Sequence, residues 1–228
     1  MKRFAPAIIS LSLFSVIAVL QAGGMLQQVD ESVLLMIRGA HPDHPPASSW
    51  LLPLLYVVTW FGDFPALLFV ATIATGLLLF SKRKPEASSF ACSAILGVLL
   101  MLVLKEVFAR PRPQVVPALA DVSTLSFPSG HALMSVAVYV PLAMILLRTF
   151  PQKNAQCFTA FGLFLLVIGF SRLYLGVHYL TDVLAGWVLG VFVVVVCRRS
   201  IAGSVGSTVP THNTVELTGG NPTETDEE

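Results

Sequence analysis

Six apolar runs, near residues 5–22, 62–81, 88–108, 131–149, 157–175 and 179–197, dominate this chain. Each approaches the roughly 20 residues that a helix needs to cross a bilayer's hydrocarbon. The runs read as spanning helices laid side by side. Of the 228 residues only 12% are charged, and 55% are hydrophobic. Soluble domains carry about 25% charged residues. The balance specifies an integral membrane protein with one domain. A net charge of +1 gives no basis for nucleic-acid binding.

The charges between the runs set the orientation. Lys2 and Arg3 precede the first run, Lys82 to Lys84 join the second to the third, Arg148 and Lys153 join the fourth to the fifth, and Arg198 and Arg199 follow the sixth. Six crossings put all four clusters on one side, which the positive-inside rule makes cytoplasmic, with both termini. The opposite side receives residues 23–61, 109–130 and 176–178. The expected fold is all-α: a polytopic bundle of six transmembrane helices with an interfacial helical segment between the first and second.

The irregular parts give further expectations. The first run has a basic start like a signal peptide, but Leu20-Gln21-Ala22 is a poor small-x-small cleavage site, so a retained helix is expected. Gln27–Arg38 reads as an amphipathic helix, with Val29, Val33, Leu34 and Ile37 opposing Asp30, Glu31 and Arg38. Trp50 to Trp60 is too short to span and reads as interfacial or re-entrant, its tryptophans at headgroup level, ended by Gly62-Asp63. His41 and His44 flank a proline-rich turn; a metal pair needs further ligands nearby, so an exposed turn is the simpler reading. His212 is given no role. Cys92, Cys157 and Cys197, an odd number in apolar surroundings, read as small buried hydrophobes. Residues 1–199 form the membrane domain, and 200–228, rich in Gly, Ser, Thr, Asn and Pro with an acidic end, read as a disordered cytoplasmic tail.

Three stretches place ionisable groups at the ends of apolar runs, where they are costly and mark function by default. In Ser171 to Asp182, His178 and Asp182 are four apart and share a face on a helix. A carboxylate on one imidazole nitrogen fixes the tautomer and raises the basicity of the other, as a histidine nucleophile requires. Arg172 offers a planar fork for phosphate oxygens. In Phe127 to His131, Ser129 is an N-cap candidate for the fourth run. Gly130 admits close backbone approach, and the free N–H groups there form an anion site. His131 stands at its edge, placed to protonate a leaving oxygen. In Lys105 to Pro113, Lys105 ends the third run. Arg110 and Arg112 each precede a proline, and spacing does not choose between them. Three cations converging on a phosphoryl group would stabilise its transition state without a metal.

Together, Lys105-x6-Arg112-Pro113, Pro128-Ser129-Gly130-His131 and Ser171-Arg172-x5-His178-x3-Asp182 resemble the three-part signature of the type 2 phosphatidic acid phosphatase family. The resemblance extends over about residues 60–197. It implies Arg112 rather than Arg110 in the signature. It also implies His178 as nucleophile forming a phosphohistidine, Asp182 as its orienting partner, and His131 as acid and then base. Lys105, Arg112 and Arg172 would clamp the phosphate, with Ser129 and Gly130 adding hydrogen bonds, and no metal or cofactor. The expected activity is removal of a terminal phosphate from a lipid phosphate or diphosphate at the periplasmic face of a bacterial inner membrane. Undecaprenyl diphosphate or a broad range is the first choice of substrate. Phosphatidylglycerophosphate, phosphatidate or lipid A phosphate, and transfer to a lipid hydroxyl, are the alternatives. A transporter would spread its charges through the spans; here they gather at one face.

Overall fold

The structure is a computed structural model in which residues 4–39, 50–149 and 154–204 are described. Among them every regular element is an α-helix: α1 Ala5–Ala22, α2 Gln27–Arg38, α3 Leu51–Trp60, α4 Phe64–Phe80, α5 Lys84–Phe108, α6 Gly130–Thr149, α7 Asn154–Tyr174 and α8 Leu180–Ser204. Lys2, Arg3, Lys153, His41, His44, His212 and residues 205–228 lie outside the described set.

Five helices, α1 and α5 to α8, are long and apolar enough to cross a membrane. The sixth span is a broken one. α4 has 17 residues, about 25 Å at 1.5 Å per residue, somewhat short of the roughly 30 Å hydrocarbon core. α3 meets it at a 46° bend, and only the two taken together are long and apolar enough to count as a sixth span. The bend follows from the sequence. Gly62 and Asp63 interrupt the helix, and Pro65 in the first turn of α4 has no N–H to continue the helix from α3. The protein is therefore a multi-pass membrane protein, with the amphipathic helix α2 between α1 and the bent pair α3–α4.

α6 and α8 form the centre. In each, 56% of the spanning window is buried, against 22% in α1. Small residues let their backbones meet, as membrane helix packing requires where apolar burial gives no driving force. A Cβ on Gly186 would lie 2.7 Å from the Ser129 carbonyl oxygen, and one on Gly190 2.6 Å from the Val136 Cβ. Pro141 inside α6 leaves the Ala137 carbonyl without its helical donor. Ser93 Oγ of α5 donates to it at 2.6 Å.

The surface helix α2 inverts one expectation. Its buried residues are Asp30, Leu34 and Arg38, while Val29 is 51% exposed. The helix buries its charged stripe because partners from distant segments await both ends. Asp30 meets Arg110 and Thr181. Arg38 donates to the carbonyls of Pro117 and Tyr174 at 3.1 and 3.2 Å. Leu34 packs between them against Val116, Leu173 and Tyr179.

Candidate active site

The C-terminal ends of α5 and α7 meet the N-terminal ends of α4, α6 and α8 around a cleft of about 410 Å³. Lys105, Arg112, Gly130, His131, Arg172 and His178 line it. With Trp60 also in the lining, residues up to 118 positions apart in sequence (178 − 60) share one cavity.

Asp182 sits in the first turn of α8 and is fully buried. Its Oδ2 accepts the Tyr179 N–H at 2.9 Å and the Ser126 hydroxyl at 2.5 Å; its Oδ1 accepts Arg110 Nη1 at 2.6 Å. The bond to Tyr179 is the reciprocal half of a capping box, a first-turn carboxylate reaching back to the residue before the helix. His178 lies in the turn ahead of α8 rather than on the helix, so the cap geometry, not a shared helical face, joins the pair. Its Nδ1 is 3.4 Å from Asp182 Oδ2, and its Nε2 is 3.4 Å from Arg112 Nη1. Burial pushes the His178 imidazole down to about 3, against the opposing pull of Asp182. The ring is neutral near pH 7. The carboxylate selects the Nδ1–H tautomer, which leaves the lone pair on Nε2 at the cleft.

Three cations line the same cleft. Arg112 is held by Thr124 and Val177: Nε donates to the Thr124 carbonyl and Nη1 to the Val177 carbonyl, both at 2.6 Å. Burial lowers its guanidinium from the ordinary value. Arg172, 3% exposed, donates to Thr59 Oγ1 of α3 at 2.7 Å, and its buried Nε has no hydrogen-bond partner among the described residues. Lys105 donates to Thr124 Oγ1 at 3.2 Å and to the Leu125 carbonyl.

His131, also in the lining, has its Nε2 2.7 Å from Asp63 Oδ1. Asp63 occupies the N-cap position of α4 yet makes no cap bond with its side chain; the carboxylate is turned to His131 instead. Ser129 likewise precedes α6, its carbonyl accepting the Leu133 N–H at 3.0 Å, but its side chain does not cap. Its N–H donates to the Asp182 carbonyl at 3.0 Å, and its buried Oγ has no partner among the described residues. Ser129 is fully buried and is not among the residues that line the cleft. Gly130 is at the wall, where a Cβ would stand 2.6 Å from Met101 Sδ. The two arginines before prolines separate: Arg112 lines the cleft, and Arg110 is buried behind Asp182.

A family model described as PAP2 superfamily matches residues 86–204, more than half of the chain. The chain belongs to the PAP2 superfamily. Within it, phosphatidylglycerophosphatase B of Bacillus subtilis is 34% identical over 150 residues, 64% of this chain and 66% of the relative. Lipid A 4'-phosphatase of Porphyromonas gingivalis is 28% identical over 204 residues, 81% of this chain and 80% of the relative. A crystal structure of a transmembrane PAP2-type phosphatidylglycerolphosphate phosphatase from Bacillus subtilis aligns with a TM-score of 0.75 at 26% identity. That alignment covers 91% of this chain and 99% of the other.

Sequence reasoning passed over Asp63, Ser126 and Asp30 in this PAP2 site. Gly62-Asp63 was legible only as a helix stop, and nothing near Ser126 or Asp30 in sequence names their distant partners. For Arg110, the signal was its alternation with Arg112 before prolines.

Proposed function

We propose that the chain is a lipid phosphate phosphatase working through a phosphohistidine at His178. The observation that carries this reading is the geometry of His178, backed by Asp182, with its Nε2 facing Arg112 in a cleft also lined by Lys105 and Arg172. In the first step Nε2 attacks phosphorus, the P–N bond forms, and the P–O bond to the lipid breaks. His131 gives its proton to the leaving oxygen. In the second step water attacks the phosphohistidine, His131 takes the water's proton, and phosphate leaves. The three cations hold the equatorial oxygens, where charge develops.

A lipid substrate is supported by the surroundings. A second cavity of about 200 Å³ between α4, α5 and α6 shares Phe64, Leu67 and Met134 with the cleft. Its other walls include Leu68, Ile95 and Leu99, each more than half exposed on the membrane-facing surface. A phosphate in the cleft thus leads to an apolar path for its chain. The two relatives are named for differently built lipids, which favours a site that reads the phosphate. We infer a broad range that includes undecaprenyl diphosphate, handled at the periplasmic face of the bacterial inner membrane.

Phosphate release by the purified protein across a panel of lipid phosphates in detergent tests the reading. Several should be hydrolysed, and His178→Ala should leave less than a few per cent of turnover with the fold intact. Turnover above a few per cent of wild type in folded His178→Ala would refute it.

A further inference from the structure

We propose that Arg110 and Asp30 form a positioning pair for Asp182 and His178, which makes the surface helix α2 a working part of the site. The inference rests on the phosphohistidine reading above. Neither residue touches the cleft. Both lie directly behind it, nearly sealed from solvent: Arg110 is 4% exposed, and Asp30 and Asp182 are at 0%.

The guanidinium joins the two carboxylates. Nη1 donates to Asp182 Oδ1 at 2.6 Å and to Thr181 Oγ1 at 2.8 Å; Nη2 donates to Asp30 Oδ2 at 2.8 Å and to Gln27 Oε1 at 3.3 Å. Its centre lies 4.0 Å above the Tyr179 ring. Asp30 also reaches α8 itself. Its Oδ1 accepts the Thr181 N–H at 2.9 Å and its Oδ2 the Thr181 hydroxyl at 2.5 Å. The first N–H groups of a helix have no intrahelical acceptor. Here Asp182 serves the one at Tyr179, and Asp30, from another helix, serves the one at Thr181. The turn that carries His178 is pinned from both sides.

The charges give the pair a chemical consequence. With His178 neutral, Asp30, Arg110 and Asp182 sum to one negative charge. Attack by Nε2 puts a positive charge on the imidazole ring, and the surplus negative charge offsets it in surroundings that screen poorly. Asp30 also shares Arg110 with Asp182. Without Asp30's charge the guanidinium would be given over to Asp182, which would then accept the His178 Nδ1–H less strongly. Docking α2 needs no such arrangement. Leu34 and the Arg38 bonds to Pro117 and Tyr174 already anchor it, and an apolar contact would avoid the cost of burying three charges.

The test is steady-state kinetics of the full chain in detergent on a lipid phosphate that the wild type hydrolyses. Asp30→Asn should lower kcat on the order of ten- to a hundred-fold, by analogy with the outer partners of metal-ligating histidines. KM should move less than about twofold, because Lys105, Arg112 and Arg172 are untouched. Leu34→Ala, which loosens α2 without touching the charges, should lower the melting temperature and keep kcat. If Asp30→Asn alone does not fold, Asp30→Asn with Arg110→Met removes one buried charge of each sign, the less disruptive change; it keeps the single negative charge on Asp182 but takes away the pair that positions it, and should still lower kcat, by less than Asp30→Asn, with KM unchanged. Wild-type kcat in the folded Asp30 variants, a KM rise alone, or an equal kcat loss in Leu34→Ala would overturn the proposal. Failure of the underlying reading is distinguishable, since it appears as turnover surviving in His178→Ala.

Discussion

His178 and His131 line one cleft, and each has a carboxylate beside it, but the two environments differ. His178 is 2% exposed, and its Nδ1 faces a carboxylate fixed by three other donors. His131 is 17% exposed beside Asp63, which is 41% exposed, so this pair reaches solvent. A buried neutral imidazole suits attack, and a solvent-linked one suits proton exchange. His131→Ala should therefore lose roughly 10²–10⁴-fold in kcat on natural lipid esters, the range for a general acid. A substrate with a nitrophenol leaving group needs no proton in the first step, so its burst of nitrophenol should survive. Equal losses of the first step on both substrates would remove His131 from the acid role.

Among the elements, the contact of α6 with α8 places both histidines, because α6 begins beside His131 and α8 beside His178. Gly186 holds that contact. A Cβ there would strike the Ser129 carbonyl oxygen at 2.7 Å and the Leu133 nitrogen at 3.1 Å, backbone atoms that cannot rotate away. Gly186→Ala should destabilise by about 1–3 kcal/mol, as overpacking does, and reduce activity by shifting the start of α6. Gly162 of α7 has nothing within 4 Å of a Cβ. Gly162→Ala should be neutral or stabilising by up to about 1 kcal/mol. Melting curves in detergent compare the two, and equal melting temperatures would contradict this packing account. The long helices were legible because each is an apolar run: the run at 5–22 is α1, and that at 131–149 is α6 within a residue. The buried face of α2 was not. A periodic pattern ranks Val29 above Asp30 for burial, and the reversal depends on Arg110 and Thr181, 80 and 151 residues away. For the same reason the signature exposed the lining of the cleft but not Asp63, whose partner His131 is 68 residues away.

At the scale of the whole molecule, the cleft lies at one end of the bundle, and Arg83, Arg148 and Arg198 lie at the other ends of the helices that build it. On the positive-inside rule we propose that those arginines face the cytoplasm and the cleft the outside. With Cys92, Cys157 and Cys197 replaced, Asp121→Cys should react with a membrane-impermeant thiol reagent in intact bacterial spheroplasts. Arg83→Cys should react only after permeabilisation. The reverse pattern would place the cleft in the cytoplasm.

The account stands or falls on a covalent bond between phosphorus and His178, and rapid-quench labelling reads that bond directly. His131→Ala, supplied with a ³²P-labelled phosphate ester of nitrophenol, should form the intermediate without the acid and hydrolyse it slowly without the base. The account predicts label on the protein approaching one phosphate per chain, stable in alkali, lost in acid and mapped to His178, with none when His178→Ala is added. Label that survives the loss of His178, or turnover of this substrate with no labelled protein at any time, would contradict it.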